Sequence, residues 1–378
     1  MNLRGNWLRL IAILAVLILI LLVVFIQVRK PRSDDLYEVK ILNKIASADK
    51  DISYVGKELS MGWGFERGQV QEFQVIHKAP STHSVKRLIP SERAGSQRRN
   101  RRAAGGPPPM MPMGQLPFNR RLAEKDMLEL LIKNYDVHVT ASEDKVAGYK
   151  TDLLTITPRV KGRPSMRIWA ARDNHIILRS EDIDPDGNVR NMSVYTQISF
   201  KSKEVQTKLD ELGSPPKAPE DPGRSIESLS LTEAQKKVNY PLVTPAFLPK
   251  GFQLDRVLFL KFLPKPSVHL IYTDGLASFS LFESKKADAQ APPPRGAGPQ
   301  MPPPRDRPPM RERPTTREEP RNQARTTKIH GINVQSFDLR QMNVHIYRWT
   351  QAGLDLTLIS DLSQNESMKV IGSIINKT

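Results

Sequence analysis

The chain has 378 residues, a formal net charge of +17, 31 prolines and no cysteine. The length suggests two ordinary domains, and the proline count, with only 39% hydrophobic residues, predicts that part of the chain is unfolded. The lack of cysteine excludes a disulfide framework, thiolate metal sites and a cysteine nucleophile, and it leaves the cellular compartment open.

The first predicted element is an apolar run from Leu10 to Ile26. As a helix this run would cover about 26 Å, close to the thickness of a bilayer core. It ends without a small-x-small cleavage signal, which favours an uncleaved anchor over a cleaved signal peptide. Basic residues flank both ends, so charge alone does not set the orientation. We predict a cytoplasmic tail and transmembrane anchor over residues 1–32, with the spanning positions Leu10, Ile13, Leu17, Leu21, Phe25 and Ile26.

A large domain is predicted over residues 33–205. Helical spacing follows Ser33, and strand-like runs cover residues 52–59 and 69–77. A second helix is predicted over residues 122–135. The later strands are predicted at residues 151–158, 166–170, 175–180 and 189–200, with a turn at 184–187. Helices beside an antiparallel sheet give an α+β fold class.

A linker is predicted at residues 206–228 and a smaller α+β domain at 229–378. Ser230 and Glu233 form a capping-box pattern before a short helix, and Ser363 and Glu366 repeat it before the last helix. Thr273-Asp274-Gly275 predicts a hairpin turn between two strands. Further strands are predicted at residues 252–262, 333–339, 343–350 and 354–359.

Two Pro-rich segments interrupt these domains, at residues 91–120 and 288–327, and both are predicted to be disordered. The stretch from Lys86 to Arg121 holds nine basic residues and one acidic residue, Glu92. Anionic lipid head groups or envelope polyanions would suit this charge, whereas the scarcity of aromatics disfavours nucleic acid. A solvated linker with no partner is the alternative. The candidate polyanion contacts are Arg98, Arg99, Arg101 and Arg102.

The motifs of enzymes and metal sites are lacking. The histidines form no pair with metal-ligand spacing, and the sequence has neither a nucleophile elbow nor a phosphate-binding loop. We therefore expect no enzyme, no metal and no cofactor. Apolar strand positions could line a ligand cavity or simply form core, and the candidates are Tyr54, Phe73, Val75, Leu154, Ile156 and Trp169.

The order of several short motifs resembles that of the MucB/RseB family, periplasmic regulators of envelope-stress sigma factors. The resemblance covers most of the chain from about residue 36 onward, apart from the two inserts. The matching stretches are Ser53-Tyr54-Val55-Gly56, Val146-Ala147-Gly148-Tyr149, Leu154 to Pro158, Arg167-Ile168-Trp169, Leu178-Arg179, Asp184 to Gly187, Tyr240-Pro241, Leu248 to Phe252 and Tyr272 to Ser280.

This resemblance implies a first domain like the lipoprotein carriers LolA and LolB, an unclosed half-barrel with an apolar cavity, followed by a smaller α+β domain. It also implies binding to the extracytoplasmic part of a single-pass anti-sigma factor, which is released when lipid-bearing molecules accumulate. The sequence departs from the family in its apparent anchor and in its Arg/Pro inserts. Tyr149 replaces an arginine of the family pattern, so that arginine's role does not carry over.

The sequence thus predicts a regulatory protein at the cell inner membrane, single-pass, with its bulk in the periplasm. Its expected partners are an anti-sigma factor and, as a further possibility, lipid or lipoprotein acyl chains, with no nucleic acid. Two alternatives stay open: a lipid or lipoprotein carrier without an anti-sigma partner, and a structural envelope protein that grips polyanions.

Overall fold

The computed structural model describes residues 33–62, 69–80, 82–88, 125–212, 226–261, 265–286, 324–339 and 344–376. The predicted membrane-spanning run and the four arginines proposed to contact polyanions lie outside these ranges. Within the described ranges, no helix is both long and apolar enough to cross a membrane.

The first half of the described chain forms an eight-stranded antiparallel sheet with three helices. In chain order its elements are α1 (Ser33–Asp51), β1 (Tyr54–Gly62), β2 (Gln69–Lys78), β3 (Thr82–Arg87), α2 (Lys125–Asn134), β4 (Tyr135–Val146), β5 (Tyr149–Pro158), β6 (Ser165–Ala171), β7 (Ile177–Ile183), β8 (Val189–Ser199) and α3 (Ser202–Leu212).

This first sheet has the strand order β3-β2-β1-β8-β7-β6-β5-β4. Strands β4 to β8 form a meander, and β8 then pairs with β1. Among the described residues β3 and β4 remain unpaired edges, so the sheet is open. The predicted turn from Asp184 to Gly187 joins β7 to β8, where the Gly187 N–H donates to the Asp184 carbonyl over 3.0 Å.

The second half forms another eight-stranded antiparallel sheet with two helices. Its elements are β9 (Ile226–Leu229), α4 (Leu231–Lys237), β10 (Gln253–Leu260), β11 (Ser267–Thr273), β12 (Ser278–Lys285), β13 (Arg325–Ile329), β14 (Ile332–Leu339), β15 (Val344–Gln351), β16 (Leu354–Ser360) and α5 (Gln364–Ile375). The strand order is β13-β14-β15-β16-β12-β11-β10-β9.

The cores of the two sheets are organised differently. The second sheet has one continuous apolar cluster, onto which α5 packs with Val370, Ile371, Ile374 and Ile375. The first sheet has two clusters, one beneath α1 and α2 and one around Tyr54 and Tyr195. Because β6 sends Ile168 to one cluster and Trp169 to the other, both faces of the first sheet bury apolar side chains.

Three boundaries differ from the sequence predictions. Helix α3 extends to Leu212, into the predicted linker 206–228, since it buries Val205 and has an amphipathic pattern. At its other end the same predicted linker contains the start of β9, which pairs with β10. The predicted disordered segment 288–327 ends inside β13, which pairs with β14 from Arg325 onward.

Candidate site: the joint between the two sheets

The two sheets meet at the turn between β11 and β12. This turn projects from the end of the second sheet against the place where α2 ends and β4 begins. Asn134, the last residue of α2, donates its side-chain N–H to the carbonyls of Gly251 and Asp274, over 3.1 and 2.9 Å. We call this contact region the joint.

Asp274 is the centre of the joint. Its Oδ1 accepts the Tyr135 hydroxyl from the first sheet over 2.9 Å. The same oxygen accepts the backbone N–H groups of Leu276 and Ala277 within its own turn. One carboxylate therefore holds the conformation of the turn and ties it to the first sheet.

Arg163 supplies the positive charge of the joint. It lies in the loop between β5 and β6, and its side chain is only 1% exposed. Its two terminal nitrogens donate to the two carboxylate oxygens of Glu366, in the first turn of α5, over 2.6 and 2.7 Å. Its Nε lies 3.3 Å from Asp274 Oδ2, and its guanidinium lies 5.0 Å from the Phe252 ring centre. The planar fork of arginine suits this bidentate geometry, which a lysine cannot reproduce.

The turn between β11 and β12 also packs closely against the first sheet. Gly275 adopts φ +116°, and a Cβ added there would lie 2.9 Å from the Leu131 Cα, so only glycine fits. The neighbouring Leu276 packs against the apolar cluster of the first sheet. The tip of a second-sheet hairpin thus completes the first sheet's core.

Burial shifts the ionisation of the joint. It raises the pKa of Asp274, against the opposing effect of the Tyr135 hydrogen bond and the Arg163 charge. Burial also raises the pKa of nearby Asp361 to about 6, while Arg190 acts in the opposite direction. For Arg163, burial lowers the pKa, but the hydrogen bonds and charge of Glu366 outweigh it and the net pKa is raised. Arg163 therefore stays charged, with its two terminal nitrogens hydrogen-bonded to Glu366, while its Nε has no hydrogen-bond partner among the described residues.

The six predicted cavity residues lie within the first sheet but do not share one cluster. Leu154 and Ile156 belong to the cluster beneath α1 and α2. The other cluster contains Tyr54, Val75 and Trp169, with Phe73 packed against it. All but Phe73 are buried core residues, and their role as a cavity lining stays a prediction.

Sequence reasoning found part of the joint. Asp274 lies in the predicted hairpin motif, and Glu366 in a predicted capping box, but neither was assigned a role between domains. Arg163, Asn134 and Tyr135 were missed. Arg163 follows a glycine and precedes a proline in a loop, and only the fold shows that this loop faces α5. Among the described residues, no cluster of histidine and carboxylate side chains could hold a metal ion.

The comparisons with known proteins bear on this architecture. The family model described as the MucB/RseB N-terminal domain matches residues 114–215, which include α2 to α3 of the first sheet. The resemblance to the MucB/RseB family that the motifs predict is confirmed over these residues.

Among individual proteins, the sigma factor AlgU regulatory protein MucB of Pseudomonas aeruginosa is 25% identical over 255 residues, covering 64% of this chain and 72% of that protein. A solved MucA/MucB complex of the same organism is 17% identical, covers 89% of this chain and 97% of that chain, and has a TM-score of 0.48. A putative outer membrane lipoprotein-sorting domain from Vibrio parahaemolyticus is 9% identical, covers 46% of this chain and 98% of that chain, and has a TM-score of 0.21.

Proposed function

We propose that this chain is a membrane-anchored, extracytoplasmic regulatory protein that binds an anti-sigma factor and modulates envelope-stress sigma factor signalling. The observation that carries the proposal is the 25% identity, over 255 residues, to a protein named as a sigma factor regulator. The order of family motifs along both domains, which we place at residues 33–205 and 229–378, supports the same function.

Anchoring is part of the proposal and rests on the apolar run from Leu10 to Ile26. A tether would confine the protein to the surface where a single-pass partner is held. Because both proteins would be held at the same membrane surface, the effective concentration of the partner would be high, and a modest affinity would suffice for binding.

The joint is the proposed regulatory element. A regulator that releases its partner needs two arrangements of comparable free energy, and a ligand must favour one of them. The joint is a discrete set of contacts between the two sheets, so opening it would change their relative position. We propose that lipid or lipoprotein acyl chains entering the first domain, near Tyr54 and Trp169, supply the signal.

The test is in-cell crosslinking of the tagged full-length protein, followed by mass spectrometry of the recovered material. We expect a single-pass membrane protein with a small cytoplasmic sigma-binding domain to dominate. Recovery of lipids or lipoproteins without such a protein would replace regulation by a carrier function. A third outcome is recovery of envelope polyanions, in a salt-sensitive way that is lost when residues 91–120 and 288–327 are deleted. That result would favour a structural envelope protein that binds polyanions.

A further inference from the structure

A groove of about 520 Å³ runs along the outer side of α5. Its walls are the helix, the turn between β13 and β14, and the loop that precedes β10. Phe247, Ile329 and Met368 supply apolar surface, and Phe247 is 40% exposed. The groove is shallow and open to solvent, so it suits a segment bound on the surface rather than an enclosed small molecule.

Gly372 forms part of the floor of this groove, in the interior of α5. Glycine in a helix interior costs about 1 kcal/mol relative to alanine, and its φ here lies outside the left-handed region. The backbone therefore does not require glycine. A Cβ added at this position would meet no heavy atom within 4 Å, so the space above Gly372 is open. This unfavourable residue leaves room for an incoming side chain.

The charge of the groove is one-sided. Lys369 lines it, and none of its nine described lining residues carries a carboxylate. The acidic residue of the same helix, Glu366, accepts hydrogen bonds on both of its carboxylate oxygens from Arg163 in the joint. An occupant with negative charge would therefore meet a positive and otherwise neutral surface.

Side-chain amides lie at the two ends of the groove, at Asn365 and Asn376. They are about 16 Å apart along the helix axis, the length of roughly three helical turns. Amides both donate and accept hydrogen bonds, as the backbone and side chains of a peptide require. An acyl chain has no hydrogen-bond donor or acceptor that could pair with these amides.

We propose that this groove seats an acidic segment of the partner protein, with a bulky apolar side chain placed above Gly372. The proposal rests on the function proposed above, that the chain binds a protein partner, and it names the surface and the chemistry of that contact. Because the groove begins on the helical turn that carries Glu366, its occupant would lie beside the joint.

The test uses full-length tagged protein in cells and compares the recovered anti-sigma factor between variants. Gly372→Leu fills the open space and should also favour the helix, so loss of folding is not expected. We expect Gly372→Leu and Lys369→Glu each to reduce recovery at least tenfold. Gly372→Ala also favours the helix but adds a single methyl group, and it should reduce recovery less than threefold. Lys203→Glu, on the exposed face of α3, is the charge control and should leave recovery unchanged.

A photo-crosslinking amino acid at Ser373, an uncharged lining residue of the same helix, provides the second readout, because it reports what occupies the groove whether or not an anti-sigma factor is recovered. Adducts with an acidic segment that holds a bulky apolar residue are expected. Undiminished recovery in Gly372→Leu, or adducts with acyl chains alone, would overturn the groove proposal while the proposed function stands. Adducts with an acidic segment of some other protein would keep the groove and overturn the anti-sigma function.

Discussion

The joint and the interior of the second sheet both bury ionisable side chains, but they pair them differently. In the joint, Arg163 contacts two carboxylates, and Asp274 accepts hydrogen bonds from both sheets. Inside the second sheet, Glu283 is fully buried, and its Oε2 accepts one backbone N–H, from Val243 over 3.0 Å. Its Oε1 has no hydrogen-bond partner among the described residues.

The number of partners determines how a buried ionisable group affects stability. Arg163, which meets two carboxylates, stays charged and fixes a geometry, and removing it would leave both carboxylates without their cation. A carboxyl group with few partners instead becomes neutral, and its cost then depends on pH. Substitutions in the two regions should therefore change stability in opposite directions.

The largest effect is expected at Arg163. Replacing it with methionine leaves Asp274 and Glu366 without their cation, and we expect a loss of about 3–5 kcal/mol in the free energy of unfolding. Urea denaturation measures this loss. Arg159→Ala is the control, since its ion pair with Asp136 is half exposed on both sides and should contribute less than about 1 kcal/mol. A loss at Arg163 no larger than at Arg159 would show that the joint contributes little.

Substitution of Glu283 should change the free energy of unfolding by a smaller amount, and it should stabilise the protein at neutral pH. Burial raises the pKa of Glu283 to about 8 from an ordinary 4.5. A raised carboxyl pKa means that the folded state holds a proton which the unfolded state has released. Its stability contribution is therefore complete below about pH 4.5 and is lost as the pH rises through 8.

Glu283→Gln removes that dependence. We expect the free energy of unfolding of the variant to equal that of the parent at pH 4 and to be higher by about 2–3 kcal/mol at pH 7. Denaturation across this pH range measures the difference. Glu143→Gln, at an exposed position of β4, is the control for the substitution itself and should change the free energy of unfolding by less than about 0.5 kcal/mol. A variant that is equally destabilised at both pH values would mean that the carboxyl group has structural partners beyond Val243.

The smallest effect is expected at Gly275. Gly275→Ala places a methyl group against the backbone of Leu131, and we expect a loss of about 1–3 kcal/mol from strain and displacement of the turn. Gly353→Ala shares the positive φ but meets nothing within 4 Å, so it isolates the backbone cost. Thermal denaturation should rank Gly275→Ala as the more harmful change, and the reverse order would place the turn away from α2.

Much of the fold could be predicted from local patterns. Strands β12 and β16 of the second sheet follow apolar alternation, and α5 begins at its predicted cap, Ser363. Strand β4 was missed although Tyr135, Val137 and Val139 alternate with polar residues, because its first residue was assigned to the preceding helix and its later residues are largely exposed. Strand β13 was missed for the same reason, since it is an edge with four exposed residues.

The joint could be predicted only in part, for a different reason. Asp274 lies in a turn motif that is visible locally, but its partners come from distant parts of the chain. Tyr135 lies 139 residues away, and Arg163 and Glu366 are 203 residues apart. No periodicity or spacing records such contacts, because they arise from the way two complete sheets pack.

The separation of Arg163 and Glu366 also has a consequence for how the chain folds. During synthesis, at about 5–20 residues per second, Arg163 precedes its bidentate partner by roughly 10–40 seconds. Asp274, the other carboxylate partner of Arg163, is made earlier than Glu366, so the bidentate pair is the later of the two ion contacts. The joint can close completely only after α5 has been made. The contact that binds the two halves is thus among the last to form.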